Sequence, residues 1–499
     1  MPHAVGPATP TLPRAARSRA GEPRTHGMLA LALGWLGVAM IGLNTVRVGG
    51  FAVSNGLFFA MGAVLLVKLL VGDESGLAPP SARRSTHVVL LGAVLLLTAS
   101  VLSSFQSWNP ASSLLISARL GYLTLLWFWM LRAVVPSRRA LNALLSAWRW
   151  GVLSMAVVAL FGQVGLIHVS IENSENRQTA FSGHPNDLGG LLAVGLPILL
   201  LNLPLHPEHS PRRATLRRAA SVGITVYAIT TTGSITAFFA AGVAVIATLV
   251  LTTLIPSTDR ARRRISPLGV MAGAVVAAVG LVVLSQSDLP VFERIQRFES
   301  GDVYLEGSAQ HRARLNAAVV NRFDEWMVVG VGMDENSMFA ADLFDQTDTY
   351  VTGGVHNMYL KVLFEAGLPA LIGLLIIQLA TLRAGMQLIV NTRHTELYPI
   401  AVGLVGALVG ACVVALFGPI LYHRFFWLPI ALIWCLWSLR REELRRPPVA
   451  APVRPAGPAP LAALPPAPQD ARPNGRGSAG GPATGSPPSW PGGPGRSTR

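Results

Sequence analysis

The sequence predicts an all-α, polytopic membrane protein with about twelve transmembrane helices and one large, partly helical external loop, and three observations predict it. First, 51% of the residues are hydrophobic and only 13% charged, whereas soluble domains carry about 25% charged residues; the mean hydropathy is +0.47. Second, apolar windows of about 20 residues, the length needed to cross a bilayer core, recur along the chain. Third, the arginines between those windows gather in alternate connections, as the positive-inside rule requires.

Taken in order, residues 1–27 are rich in Pro, Ala and Arg and read as a disordered cytoplasmic tail without a cleaved signal peptide. Apolar windows then fall near 28–45, 51–71, 86–104, 114–134, 147–167, 187–205, 219–232, 234–255 and 267–286, so that residues 28–286 hold nine helices. Three more, near 357–381, 398–418 and 424–439, lie within residues 356–440. Arg83 and Arg84, Arg138 and Arg139, Arg212 to Arg218, Arg260 to Arg264, and Arg440 to Arg446 fall in alternate connections, which places both termini inside. Residues 441–499 form a Pro-, Ala- and Gly-rich cytoplasmic tail with too few aliphatic residues to fold.

The long connection, residues 287–355, falls outside and has the opposite charge balance, with 12 acidic residues against 5 arginines. Within it Ser308 to Met327 has helical periodicity: Leu315, Val319, Phe323 and Trp326 make an apolar stripe, and Arg312 and Arg314 lie off it. Val329-Gly330-Val331-Gly332 reads as a turn or loop after that helix.

Composition also excludes classes of function. The formal charge of +15 sits in short clusters between apolar runs, and no basic domain exists, so nucleic acid is not an expected partner. Cys412 and Cys435 lie inside apolar runs at no metal-ligand spacing, which supports neither a disulfide framework nor a zinc site.

Chemistry-bearing residues gather near the external ends of the helices. In Asn176 to Leu188, Pro185 and small polar residues precede an apolar run, as at a helix N-terminus that attracts anions. Asn186 suits the N-cap; capping alone would equally explain Asn186, His184 and Asp187, while Arg177 is placed to fork onto a phosphate. Thr231 to Ala237 reads as a tight turn. On the external helix a solvated face explains His311 and Arg314 as well as a binding role does. At Gly353 to Leu368 the polar loop returns to the membrane: Asn357, Lys361 and Glu365, four residues apart, share one helical face just after His356. An intramembrane Lys–Glu pair is costly unless satisfied, which points to a site, and snorkelling of Lys361 with pairing to Glu365 accounts for it equally well. Arg119 lies inside an apolar window about two turns from its external end, where an arginine points to function or to a helix carbonyl.

Together these residues resemble the O-antigen ligase and O-antigen polymerase superfamily of bacterial cell-envelope glycan proteins. The pattern runs from Pro185-Asn186 through a small-residue turn and Arg312 to Gly330-Val331-Gly332. It closes on His356, Asn357, Tyr359 and Leu360, followed by Glu365 and Gly367. The resemblance covers roughly residues 170–385. It implies a cytoplasmic-membrane glycosyltransferase moving a glycan from an undecaprenyl-pyrophosphate carrier to a hydroxyl of an acceptor glycan or glycolipid at the outer face. Membrane lipids surround it, and no nucleotide sugar, cofactor or essential metal is needed. On that resemblance His356 and Arg312 are catalytic, the imidazole taking the acceptor proton and guanidinium groups holding the diphosphate. Arg177, Asn186, Arg314, Asn357, Glu365 and Arg119 are the expected substrate contacts. Many relatives have an arginine directly after the Ser of the turn, where this chain has Ile235 after Ser234; Arg177, Arg119 or Arg314 must supply that charge, or the diphosphate site differs. Two other classes fit the composition, a multi-pass transporter built around a midplane site and a non-catalytic scaffold that tolerates His356→Ala.

Overall fold

A computed structural model describes residues 25–48, 51–72, 86–167, 177–200, 211–257, 290–300, 303–333 and 355–445. The expectations for residues 1–24, for the 267–286 window, for Asn176, for Gly353 and Gly354 and for the tail beyond Arg445 therefore lie outside the described residues, as does 334–354 of the long connection. The chain divides into two units, Met1–Arg445 and Arg446–Arg499, and all the described residues belong to the first.

Among the described residues that unit is helical apart from a two-residue antiparallel ladder, β1 (Arg47–Val48) with β2 (Phe51–Ala52). Its helices are α1 (Thr25–Ala39), α2 (Val53–Leu70), α3 (His87–Ser104), α4 (Pro110–Ala133, with a π-helical turn at Tyr122–Trp127), α5 (Arg138–Gln163) and α6 (Pro185–Leu200). The chain continues through α7 (Pro211–Thr231), α8 (Ile235–Leu254), α9 (Pro290–Glu299), α10 (Val303–Asn321), the short α11 (Phe323–Trp326), α12 (Met358–Thr392), α13 (Tyr398–Phe417) and α14 (Arg424–Arg445). Each predicted apolar window within the described residues falls on one of these helices. Among the described residues 7 helices are long and apolar enough to cross a membrane; they are α2, α3, α4, α5, α8, α12 and α13.

The helices alternate in direction, so that their ends form two groups. At one end Thr45 N donates to Phe181 O at 3.0 Å, Gln178 N to Thr231 O at 3.1 Å and Met333 N to Ser113 Oγ at 2.7 Å. At the other, Arg138 pairs with Glu443 at 2.5 Å, Ser257 Oγ donates to Arg393 O, and Tyr398 OH donates to Ile255 O. Between them Phe58, Trp127, Trp148 and Phe426 are fully buried. Small residues let helices cross closely: a Cβ on Gly92 of α3 would come within 2.6 Å of Gly373 O on α12.

One window departs from its expected form. The 357–381 segment is helical but breaks at Gly367, whose φ of 78° and ψ of 176° lie outside the helical region. Sequence explains the break. Pro369 has no N–H to give to Glu365 O, so the ladder fails there, and Pro is at home in the first turn of the helix that resumes. The released groups find partners in the long connection: Val331 N donates to Phe364 O, Gly332 N to Glu365 O, and Leu368 N to Met327 O at 2.7 Å. Gly330-Val331-Gly332 is thus a segment docked into the helix break, and the two glycine motifs form one joint. A Cβ on Gly367 would meet Val328 O at 2.5 Å, so both its backbone angle and its surroundings demand glycine.

Candidate anion site at the polar end of the bundle

The site begins with the turn between α7 and α8. Ser234 caps α8, its hydroxyl accepting from Ala237 N at 3.3 Å, as expected of a tight turn. The turn also exposes backbone carbonyls, and two arginines use them. Arg177 Nε donates to Thr232 O at 2.8 Å, and Arg294 Nη1, from α9, donates to Gly233 O at 3.0 Å. Gly233 has a φ of 61°, and a Cβ there would lie 3.1 Å from Arg177 Nε and 3.3 Å from Pro290. Glycine is what lets both arms approach.

Arg177 then reaches the start of α6, where its Nη2 donates to Asn186 Oδ1 at 3.1 Å. Asn186 is not the N-cap expected of it. The helix begins at Pro185, and the preceding His184 closes it, its Nδ1 accepting from Asn186 N at 3.1 Å. Pro185 fixes the first turn, so the cap moves back by two residues and the Asn186 side chain is freed for Arg177. An accepting Nδ1 is unprotonated, and the surroundings of His184 favour that form: burial holds its pKa below the ordinary value, Arg177, Arg312 and His423 act in the same sense, and Asp187 opposes them. Part of the ring surface stays open to solvent, but desolvation by the protein around it prevails.

Arg312 completes the group from α10. It is half-buried and, among the described residues, forms no hydrogen bond or ion pair, in contrast to the hydrogen-bonded Arg177 and Arg294. Burial first, and then the charge of Arg294, hold its guanidinium below the usual range. The expectation that Arg312 lies off the apolar stripe is corrected here. Leu315 and Val319 are buried against Val355 and Phe364, and Arg312 precedes them at helical spacing, on the same face and turned inward. Its position at the end of the stripe is what carries it into the site.

The same packing brings in His356. Val355 joins the Leu315, Val319 and Phe364 cluster, so the half-buried His356 follows directly on the residue that α10 packs against. Asn357 caps α12, its Oδ1 accepting from Tyr359 N at 2.9 Å and from Leu360 N at 3.0 Å. Lys361 and Glu365 are ion-paired at 2.6 Å, with only 2% of the Glu365 side chain exposed. Arg314 is exposed on the outer face of α10, while Arg119 of α4 stacks on the Tyr422 ring with its Cζ 5.5 Å from the centroid.

Sequence reasoning missed Arg294, Tyr422, His423 and Arg424. Arg294 is an ordinary basic residue in an acidic loop until the fold sets it against the turn. His423 Nε2 lies 3.5 Å from Asp187 Oδ1, in a contact across 236 residues that no local pattern reports. Among the described residues no group of three or more His, Cys, Asp or Glu side chains is placed to share a metal ion. A cavity of about 190 Å³ exists at the opposite end, lined by Val89, Phe128, Trp129, Arg132 and Cys435, and it takes no part in this site.

The arrangement gathers three guanidinium groups about the N-terminus of a 16-residue helix, beside the His184 imidazole. Guanidinium groups and helix N-termini are the groups that suit a phosphate. No curated protein matches this sequence. Residues 220–375, from within α7 through the arginine-holding turn, α9 and α10 to the first half of the broken α12, match the family model described as O-Antigen ligase, which supports the resemblance to the O-antigen ligase and polymerase superfamily.

Proposed function

We propose that this membrane protein of the O-antigen ligase and polymerase type transfers a glycan from an undecaprenyl-pyrophosphate carrier to an acceptor hydroxyl at the outer face of the bacterial cytoplasmic membrane. The observation that carries the reading is Arg312. A half-buried guanidinium without hydrogen bond or ion pair among the described residues, within range of the charge of a second arginine and of His184 at a helix N-terminus, is costly unless an anion joins it. In the proposed reaction His356 accepts the acceptor's proton as its oxygen attacks the anomeric carbon. The bond from that carbon to the diphosphate oxygen breaks, and the departing carrier diphosphate takes the electron pair. Arg177, Arg294 and Arg312 with the α6 N-terminus hold the charge that develops on it. Arg294, which donates to the carbonyl just before Ser234, fills the role left open by Ile235.

The reading includes a topology of twelve spans with both termini cytoplasmic and residues 287–355 outside. Its support is the direction of the described helices, which puts Ser54, Asn109, Arg177, Ser234, His356 and His423 at one end and the arginine-rich helix ends at the other. The test is glycan profiling of a deletion strain complemented with His356→Ala or Arg312→Ala. Loss of transfer with normal protein levels is expected, and unchanged glycan length and yield would overturn the assignment. Single-repeat glycans in the deletion strain would indicate a polymerase, and long chains stranded on the carrier a ligase.

A further inference from the structure

A second group of cations lies next to the first and is held by different helices. The run Tyr422-His423-Arg424, between α13 and α14, links the two. His423 reaches Asp187 at the start of α6. Tyr422 carries Arg119 on its ring. Arg424 points toward α2, its Nη1 donating to Ser54 Oγ at 3.2 Å and its Cζ lying 5.3 Å from the Phe58 centroid. Arg119 and Arg424 are near enough for their charges to repel, with the Tyr122 hydroxyl beside Arg424 as its phenolic neighbour. Among the described residues neither has a carboxylate within 4.0 Å, and Arg424 Nε is buried with no hydrogen-bond partner. Just after Arg119, α4 takes the π-helical turn Tyr122–Trp127, a distortion often found at functional sites. Two adjoining guanidinium groups without an acidic partner, over aromatic rings and at the mouth of an apolar bundle, fit an anion carried on a lipid.

This anion is not the donor's diphosphate, which Arg177, Arg294, Arg312 and the α6 N-terminus already match. Resting on the glycan-transfer reading above, we infer that Arg119, Arg424 and Tyr422 form a second anion subsite, which holds the phosphate group of a lipid-linked acceptor while the first holds the donor. Both substrates are then phosphorylated lipids, with the acceptor hydroxyl brought to the donor sugar between the two anchors. That is the substrate pair of a polymerising enzyme, or of transfer to a phosphorylated glycolipid.

Counting bound prenyl pyrophosphates tests this. Full-length protein in detergent is titrated with farnesyl pyrophosphate and read by native mass spectrometry. Two molecules per chain are expected, one after Arg119→Gln, one after Arg312→Gln and none in the double variant. Arg119 is exposed, so its replacement leaves the core intact; Arg424→Gln, which disturbs a buried contact, serves as a second variant and is expected to match it. A single molecule in the wild type, lost on Arg312→Gln and kept in Arg119→Gln, overturns the second subsite alone. Displacement of the Arg119-dependent molecule by phosphatidylglycerol at equal concentration also overturns it, because the arginines would then only meet bulk lipid headgroups. No binding in any variant overturns the donor-site reading as well.

Discussion

Arginines stand at both ends of this bundle, and the two ends treat them differently. At the end rich in basic helix termini Arg138 and Arg440 share Glu443, at 2.5 and 3.3 Å. At the other end Arg177 and Arg294 are braced by backbone carbonyls, while Arg119, Arg312 and Arg424 form no ion pair among the described residues. The Arg138–Glu443–Arg440 group meets its charge within the chain, whereas at the polar end carbonyls, a hydroxyl or rings orient the arginines, and Arg119, Arg312 and Arg424 have no carboxylate at hand among the described residues. We expect that missing counter-charge, rather than position at a helix end, to mark the arginines that act on substrate.

The comparison breaks most visibly in catalysis. His356→Ala should lower transfer by roughly 10²–10⁴-fold, and Arg312→Ala by about 10²–10³-fold, in a reconstituted assay with lipid-linked glycan. Arg138→Ala removes a partly exposed pair of small worth and should leave the rate within about twofold. Equal losses from Arg138→Ala and Arg312→Ala would erase the distinction between the ends.

Lys361 is a paired cation at the polar end, and it sharpens the contrast. Lys361 neutralises a carboxylate that is almost wholly buried, so Lys361→Met strands that charge and should cost about 3–5 kcal/mol. Lys361→Met combined with Glu365→Gln should recover most of the loss in thermal unfolding. If Lys361→Met instead unfolds at the wild-type temperature but fails to transfer glycan, the pair belongs to the chemistry rather than to the scaffold.

Bracing makes a smaller difference. Gly233→Ala forces a side chain into the left-handed region and against Arg177, a strain of about 1–3 kcal/mol. It should raise KM for the lipid-linked donor while the protein stays folded, because it shifts both carbonyl-held arginines at once. A donor KM equal to that of the wild type would mean that the turn does not set their positions.

These contrasts also show which parts could be read from sequence. Hydropathy located α1 to α8 and α12 to α14, since apolar length is a local property. The Leu315, Val319 and Trp326 stripe was legible for the same reason, and so was the Lys361–Glu365 pair at i, i+4. The break at Gly367 was less so: Gly and Pro two residues apart announce it, but its meaning depends on Gly330-Val331-Gly332 arriving from 35 residues away. Arg312 stands out in the sequence but reads as lying off the stripe, because a charged residue at the end of an apolar face looks solvated until something is packed over it. Arg294, His423 and Arg424 are defined by contacts with Gly233, Asp187 and Ser54, and such pairings are fixed only by the fold.

The smallest expected effect is one of pH, at the joint between the two arginine groups. The pKa of His184 lies below the ordinary 6.5, because burial first, and then the neighbouring Arg177 and Arg312, disfavour the charged ring. A depressed pKa means that the unfolded chain takes up the proton first. The contribution of His184 to stability is therefore complete above about pH 6.5 and is lost as the pH falls from there through the folded pKa. Protonation would also remove Nδ1 as acceptor for Asn186 N and loosen the start of α6, where Arg177 is held. The melting temperature should accordingly decline on acidification below about pH 6.5, and less steeply in His184→Asn, which keeps a capping acceptor but does not titrate. Parallel declines in the two proteins would assign the acid sensitivity to other groups, and His184 would then be a cap without a part in the charge balance of the site.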